Sequence, residues 1–211
     1  MKTHELIKAL ARDATLAPPP QRTLGLNLAC GAALALALFF LVLGLRPDIA
    51  AALHTLRFVL KPLLTVSLVV ASLGVLLRLA HPGVAAGLWA RLLLVAPLAL
   101  ATAVVVELCV LPESLWSTRA VGHNALACLA MIPLLSLPPL ACCLLALKQA
   151  APTRPALTGA VAGLLAGAVG ATFYAMHCPD DSPLFVGLWY VLALAIVTGA
   201  GAIGGSRLLR W

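Results

Sequence analysis

The chain has 211 residues, of which 63% are hydrophobic and 10% charged, with a formal net charge of +7 and a mean hydropathy of +1.07. A soluble domain of this length could not hide so much apolar surface, so the composition excludes ordinary soluble enzymes and binding modules. The positive charge follows the ends of the apolar runs and does not indicate nucleic-acid contact, so no direct nucleic-acid partner is expected.

Residues 1–23 form the one sizeable polar segment, and residues 24–211 a transmembrane domain. Thr3 caps a predicted helix on which Leu6, Ile7, Leu10 and Ala14 share a face at helical spacing, with Arg12 and Asp13 among the charges on the remainder. Ala17-Pro18-Pro19-Pro20 then stops the helix and acts as a stiff spacer. The apolar stripe has two readings, a helix lying on lipid headgroups or a docking helix for a cytosolic protein.

Six apolar runs follow, near 24–45, 57–79, 91–111, 123–147, 156–176 and 184–205. Each approaches or exceeds the ~20 residues a helix needs to cross a bilayer core. Their continuity excludes β-barrel strands, so the fold is all-α and polytopic. Leu28-Ala29-Cys30-Gly31 resembles a lipoprotein cleavage box, but its apolar region follows the cysteine, and the first run is expected to remain as a span.

Six spans place both termini on one side. That side carries Lys2, Lys8, Arg12, Arg22, Arg78, Arg91, Lys148, Arg154, Arg207 and Arg210, against Arg46, Arg57, Lys61 and Arg119 on the other. The bias predicts cytoplasmic termini. On the outer side, Lys61 is expected either to snorkel or to pair with Glu107 near the end of the third span.

The fourth span contains Cys128 near its outer end, and Pro133, Pro138 and Pro139 should kink it. Cys30, Cys142 and Cys143 read as packing residues. The fifth span has small residues four apart at Gly159, Gly163 and Gly167, the device that lets membrane helices approach closely. It ends in Tyr174, His177, Cys178, Pro179, Asp180, Asp181, Ser182 and Pro183.

The short loop between spans four and five makes them antiparallel neighbours and brings Cys128 and Cys178 into one outer zone with His123, His177, Asp180 and Asp181. Two such thiols suit a disulfide or a soft metal ion, although the spacing matches no compact metal motif, and two unrelated packing residues remain the alternative.

The start Met1-Lys2-Thr3-His4-Glu5-Leu6-Ile7-Lys8, the six spans, Cys128, and the segment Tyr174-Ala175-Met176-His177-Cys178-Pro179-Asp180-Asp181-Ser182 together resemble the NrsF family of bacterial inner-membrane anti-sigma factors. The resemblance covers essentially the whole chain and continues through Phe185 and Trp189-Tyr190. It implies a multi-pass protein of the bacterial inner membrane whose tail (Leu6, Ile7, Leu10, Arg12 and Asp13) helps hold an extracytoplasmic-function sigma factor inactive. It also implies that Cys128 and Cys178 sense heavy metal or oxidant, with His177, His123, Asp180 and Asp181 as candidate auxiliaries. No cofactor is required, a heavy-metal ion being at most the signal, and the oligomeric state is left open.

Two other classes compete. A membrane thiol oxidoreductase would explain the outer cysteines but wants a C-x-x-C pair and a quinone site. A small metal or solute permease would show a polar path at mid-membrane, which these spans lack. No nucleophile–base pairing is visible, and an enzyme is not expected.

Overall fold

A computed structural model of the protein describes residues 3–5, 8, 20–81, 83–150 and 152–209. Among the described residues there is no strand, and six helices are long and apolar enough to cross a membrane. Their main segments are α1 (Pro20–Val42), α2 (Leu56–Leu79), α3 (Val95–Val110, which completes a span that opens with the short helix Leu88–Leu92), α4 (Ala125–Leu147), α5 (Pro155–Ala175) and α6 (Val191–Leu208). A π turn, Val186–Tyr190, joins α6 back to Pro183–Phe185.

Two boundaries differ from the pattern in the sequence. The first helix begins at Pro20, because proline in a first turn lacks only an N–H that would have no helical partner there. The fourth helix runs unbroken through Pro133, Pro138 and Pro139, so they do not interrupt it. In a membrane, neighbouring helices compensate for the lost backbone bonds.

The bundle is built around α5, which packs against α2, α4 and α6, while α1 packs against α4. An apolar helix without a polar face belongs in the interior, and most of α5 is buried. By contrast α3 is mostly exposed and touches the body lightly.

The α5–α6 contact is a seam of bare backbone. A Cβ added at Gly159 would collide with the Gly201 carbonyl oxygen and lie 2.7 Å from the Gly205 Cα; one at Gly163 would meet the Val197 carbonyl oxygen and sit 2.9 Å from the Thr198 Cα. Gly167 meets a side chain, Leu194, and Gly170 turns to the Ile132 carbonyl oxygen and Ser136 of α4. The stripe in α5 therefore finds a second stripe in α6, as close membrane packing requires.

Candidate functional site

At the end of the bundle away from the termini, the chain leaves α5 and crosses to α6 through residues 176–184. The turn forms because the His177 and Cys178 N–H groups both donate to the Tyr174 carbonyl, each at 3.0 Å, while Pro179 resists further helix and Pro183 opens the next helical turn. Three charged side chains from other elements grip it.

Arg46 follows α1 after a turn at Gly44, whose φ of +70° suits glycine. It is 8% exposed, and its guanidinium donates to both Asp48 oxygens at 2.7 Å and to Asp181 Oδ2 at 2.9 Å. It also lies over the Phe58 ring, 5.5 Å from the centroid. The hydrogen bond to Asp48, then Asp181, outweighs burial and raises its pKa, while the same bond holds Asp48 below the usual carboxylate value.

Lys61, in the second turn of α2, is 1% exposed. Its three donors reach the Cys178 carbonyl at 2.9 Å, the Asp180 carbonyl at 3.1 Å and Asp181 Oδ1 at 2.8 Å. Of the two readings of Lys61, snorkelling outward or pairing with Glu107, the structure gives neither, since the ammonium is buried on the loop. All three ammonium protons are taken up by the loop, so Lys61 has nothing left for Glu107.

Glu107 instead accepts from the Ser182 hydroxyl at 2.7 Å and the Leu184 N–H at 3.0 Å through Oε2, and its Oε1 lies 3.6 Å from Arg57. Asp180 Oδ2 accepts from the His123 and Asn124 N–H groups at 3.1 and 2.9 Å and from the Asn124 amide at 3.0 Å, stitching the loop to the start of α4. Asp180 and Asp181 are therefore structural anchors, not loose surface charges.

The structure brings Cys128 and Cys178 together. Both are fully buried in one apolar cluster with Ile132, Tyr174, Phe185 and Tyr190. Burial pushes the Cys178 thiol above its ordinary value, with the Lys61 ammonium pulling the other way. The net result is a neutral thiol at neutral pH, a weak nucleophile and a weak metal ligand while the loop is closed.

The two histidines do not join this pair. His177 Nδ1 donates to the Gly44 carbonyl at 3.0 Å. The His123 side chain is 92% exposed, with Nδ1 3.8 Å from Asp180. Among the described residues no three His, Cys, Asp or Glu side chains gather where they could hold a metal ion. The donors on offer are the two thiols, which suit a soft ion.

Leu6, Ile7, Leu10, Arg12 and Asp13 lie outside the described residues; Thr3, His4, Glu5 and Lys8 are helical and exposed. Sequence reasoning missed Arg46 and Asn124 as parts of the site, and it singled out Tyr174, Ser182 and Tyr190 without giving them a role there. A signal for Arg46 was there, since a cation beside a span in so apolar a chain needs an acid, and Asp180-Asp181 flanks a span at the same end.

A family model described as "NrsF: Negative regulator of sigma F" matches residues 10–211. Over 214 aligned positions the chain is 36% identical to a protein of Azospira oryzae named "Probable anti-sigma-F factor NrsF". Over 217 positions it is 36% identical to the "Anti-sigma-F factor NrsF" of Caulobacter vibrioides, and in both cases the whole of each chain is covered. No solved structure matches.

Proposed function

This chain belongs to the NrsF family of negative regulators of sigma F, and from that premise we propose that it is an anti-sigma factor of the bacterial inner membrane. Its termini are cytoplasmic, as the distribution of Lys and Arg favours. There the tail, through Leu6, Ile7, Leu10, Arg12 and Asp13, holds an extracytoplasmic-function sigma factor away from RNA polymerase. On the opposite face Cys128 and Cys178 respond to heavy metal or oxidant, and the role is regulatory, without catalysis.

The observation that carries the sensing half is the placement of both thiols in one buried cluster roofed by the 176–184 loop. A closed loop keeps them unreactive. When the loop loosens, a soft metal ion bridges the two thiolates with loss of two protons. Alternatively an oxidant takes two electrons and two protons as the S–S bond replaces two S–H bonds. In this proposal the bridged pair favours the loosened state over the resting packing around Tyr174 and Tyr190. Turning such an equilibrium from mostly closed to mostly open takes about 5.5 kcal/mol of differential stabilisation, which metal–thiolate coordination is large enough to supply and a disulfide, at about 2–4 kcal/mol, supplies in part.

The test is a sigma-dependent reporter in cells carrying Cys128→Ser or Cys178→Ser, challenged with cadmium or an oxidant. Each variant should lose the response while still repressing the reporter at rest. Full induction in both would overturn the thiol trigger. Co-purification of the sigma factor should be lost with Leu6→Glu; retention would remove the tail from the proposal.

A further inference from the structure

Away from the loop cluster, a second pair of thiols meets where α1 crosses α4. Gly31 of α1 is buried against bare backbone of α4: an added Cβ would sit 2.5 Å from the Pro139 Cα and 3.1 Å from the Pro138 carbonyl oxygen. Without a side chain at residue 31 the two helices approach closely there. The first and fourth of six consecutive spans run in opposite senses. A residue just before Gly31 and a residue just after Pro139 therefore lie on the same side of the contact point.

Cys30 stands immediately before Gly31, and Cys142 one helical turn after Pro139. The helical rise displaces them by about 1.5 and 4.5 Å in the same direction from the contact. A turn of about 100° per residue carries both side chains to the same flank of the crossing. Cys30 accordingly lies beside Cys142. The next residue, Cys143, turns the other way and is fully buried in the core with Leu140, Leu144 and Leu165.

This flank is open to the hydrocarbon of a bilayer. Cys30 is exposed and shares a helix face with exposed Leu26 and Leu34, and half-buried Cys142 is one turn from exposed Leu145. Both cysteines lie inside membrane spans. The contrast with Cys128 and Cys178 is one of access, since those two are fully buried. An oxidant that reaches Cys30 does so through the lipid, and an apolar peroxide is the class that dissolves there.

We propose that Cys30 and Cys142 are a second oxidisable pair, which closes to a disulfide in reaction with a lipid hydroperoxide. Cys30, the more open of the two, breaks the O–O bond. Its sulfur takes the terminal hydroxyl and becomes a sulfenic acid, while its proton leaves with the other oxygen as the lipid alcohol. Cys142 then condenses with the sulfenic acid: an S–S bond replaces the S–OH and S–H bonds, and water departs. In sum two electrons and two protons pass from the thiols to the peroxide. All the products are neutral, as a low-dielectric site requires. The bond ties α1, the helix that follows the N-terminal segment, to α4, which carries Cys128 at its other end.

The test uses the purified full chain in mild detergent, treated with cumene hydroperoxide, quenched with N-ethylmaleimide and digested without reduction for mass spectrometry. Peptides joined through Cys30 and Cys142 should appear, and dithiothreitol should release them. Cys142→Ser should lose the link and leave Cys30 as a sulfenic acid that dimedone labels, whereas wild-type Cys30 should escape the label. Cys30→Ser should lose the link and leave Cys142 a free thiol. Serine is close to cysteine in volume, so neither variant disturbs the crossing. Cys109, exposed on α3, shows in every sample that the peroxide has arrived. Oxidised Cys109 beside unreacted Cys30 and Cys142 overturns the proposal, as does a Cys30 disulfide found only between two chains. The link should persist in Cys128→Ser, so it stands or falls apart from any sensing by the loop pair.

Discussion

The two ends of the α5–α6 pair are held by opposite means. Toward the termini, Gly159 and Gly163 lie on Gly201 and Gly205 with no side chain between them. At the other end, loop 176–184 is held by Arg46, Lys61, Glu107 and Asn124 through charge-assisted bonds. Close backbone packing has no protonation state and one good geometry, so it behaves as a fixed pivot. A buried ionic knot is bistable in principle, since each member is strongly held when paired and costly when not. A molecule that must switch is better opened at the knot than at the seam.

The largest effect should come from cutting the knot. Lys61→Met leaves Asp181 with Arg46 alone and takes the ammonium from two loop carbonyls, and loss of one partner of a buried pair costs about 3–5 kcal/mol. Unfolding in mixed micelles measures it, and wild-type stability in this variant would dissolve the contrast. Gly201→Leu should come next, at about 1–3 kcal/mol or more, because its Cβ would strike the Gly159 carbonyl oxygen and lie 2.7 Å from the Gly163 Cα. It should leave the knot shut, so alkylation of Cys178 should accelerate in Lys61→Met and not in Gly201→Leu.

The smallest effect is the one that reads the closed loop directly. Cys178 should react with a maleimide more slowly than an exposed cysteine introduced by Ala51→Cys, because burial raises its pKa and excludes the reagent. The sign with pH follows from that direction. Folded and unfolded thiols are both protonated below the ordinary value of 9.0; above it the unfolded thiol ionises first, and the contribution of Cys178 to stability declines as pH rises toward the folded value. Titrating maleimide reactivity from neutral pH to beyond 9.0 checks it; equal rates at the two positions throughout would mean an open loop.

Much of this was legible before any coordinates. Tyr174 to Ser182 stood out as a polar island between two apolar runs, and the short loop between spans four and five was enough to place Cys128 beside it. The glycines of α5 announced a close neighbour, though not that α6 would answer with Gly201 and Gly205. Lys61 and Glu107 show where such reasoning stops. A mutual pair was one of two readings of Lys61, and the structure gives each charge different partners, because several opposite charges share that end of the bundle and pairing depends on how each helix is rotated.

Hydropathy and residue spacing are local properties, so the chain by itself determined its all-helical membrane class and its six apolar helices, and it pointed to the end of the bundle where Cys128 and Cys178 lie. The rotation and register of the helices are set by packing among residues far apart in the chain. Only the tertiary structure decided that Arg46 and Lys61 hold the loop, that the thiols are sealed beneath it, and that α3 stands away from the body.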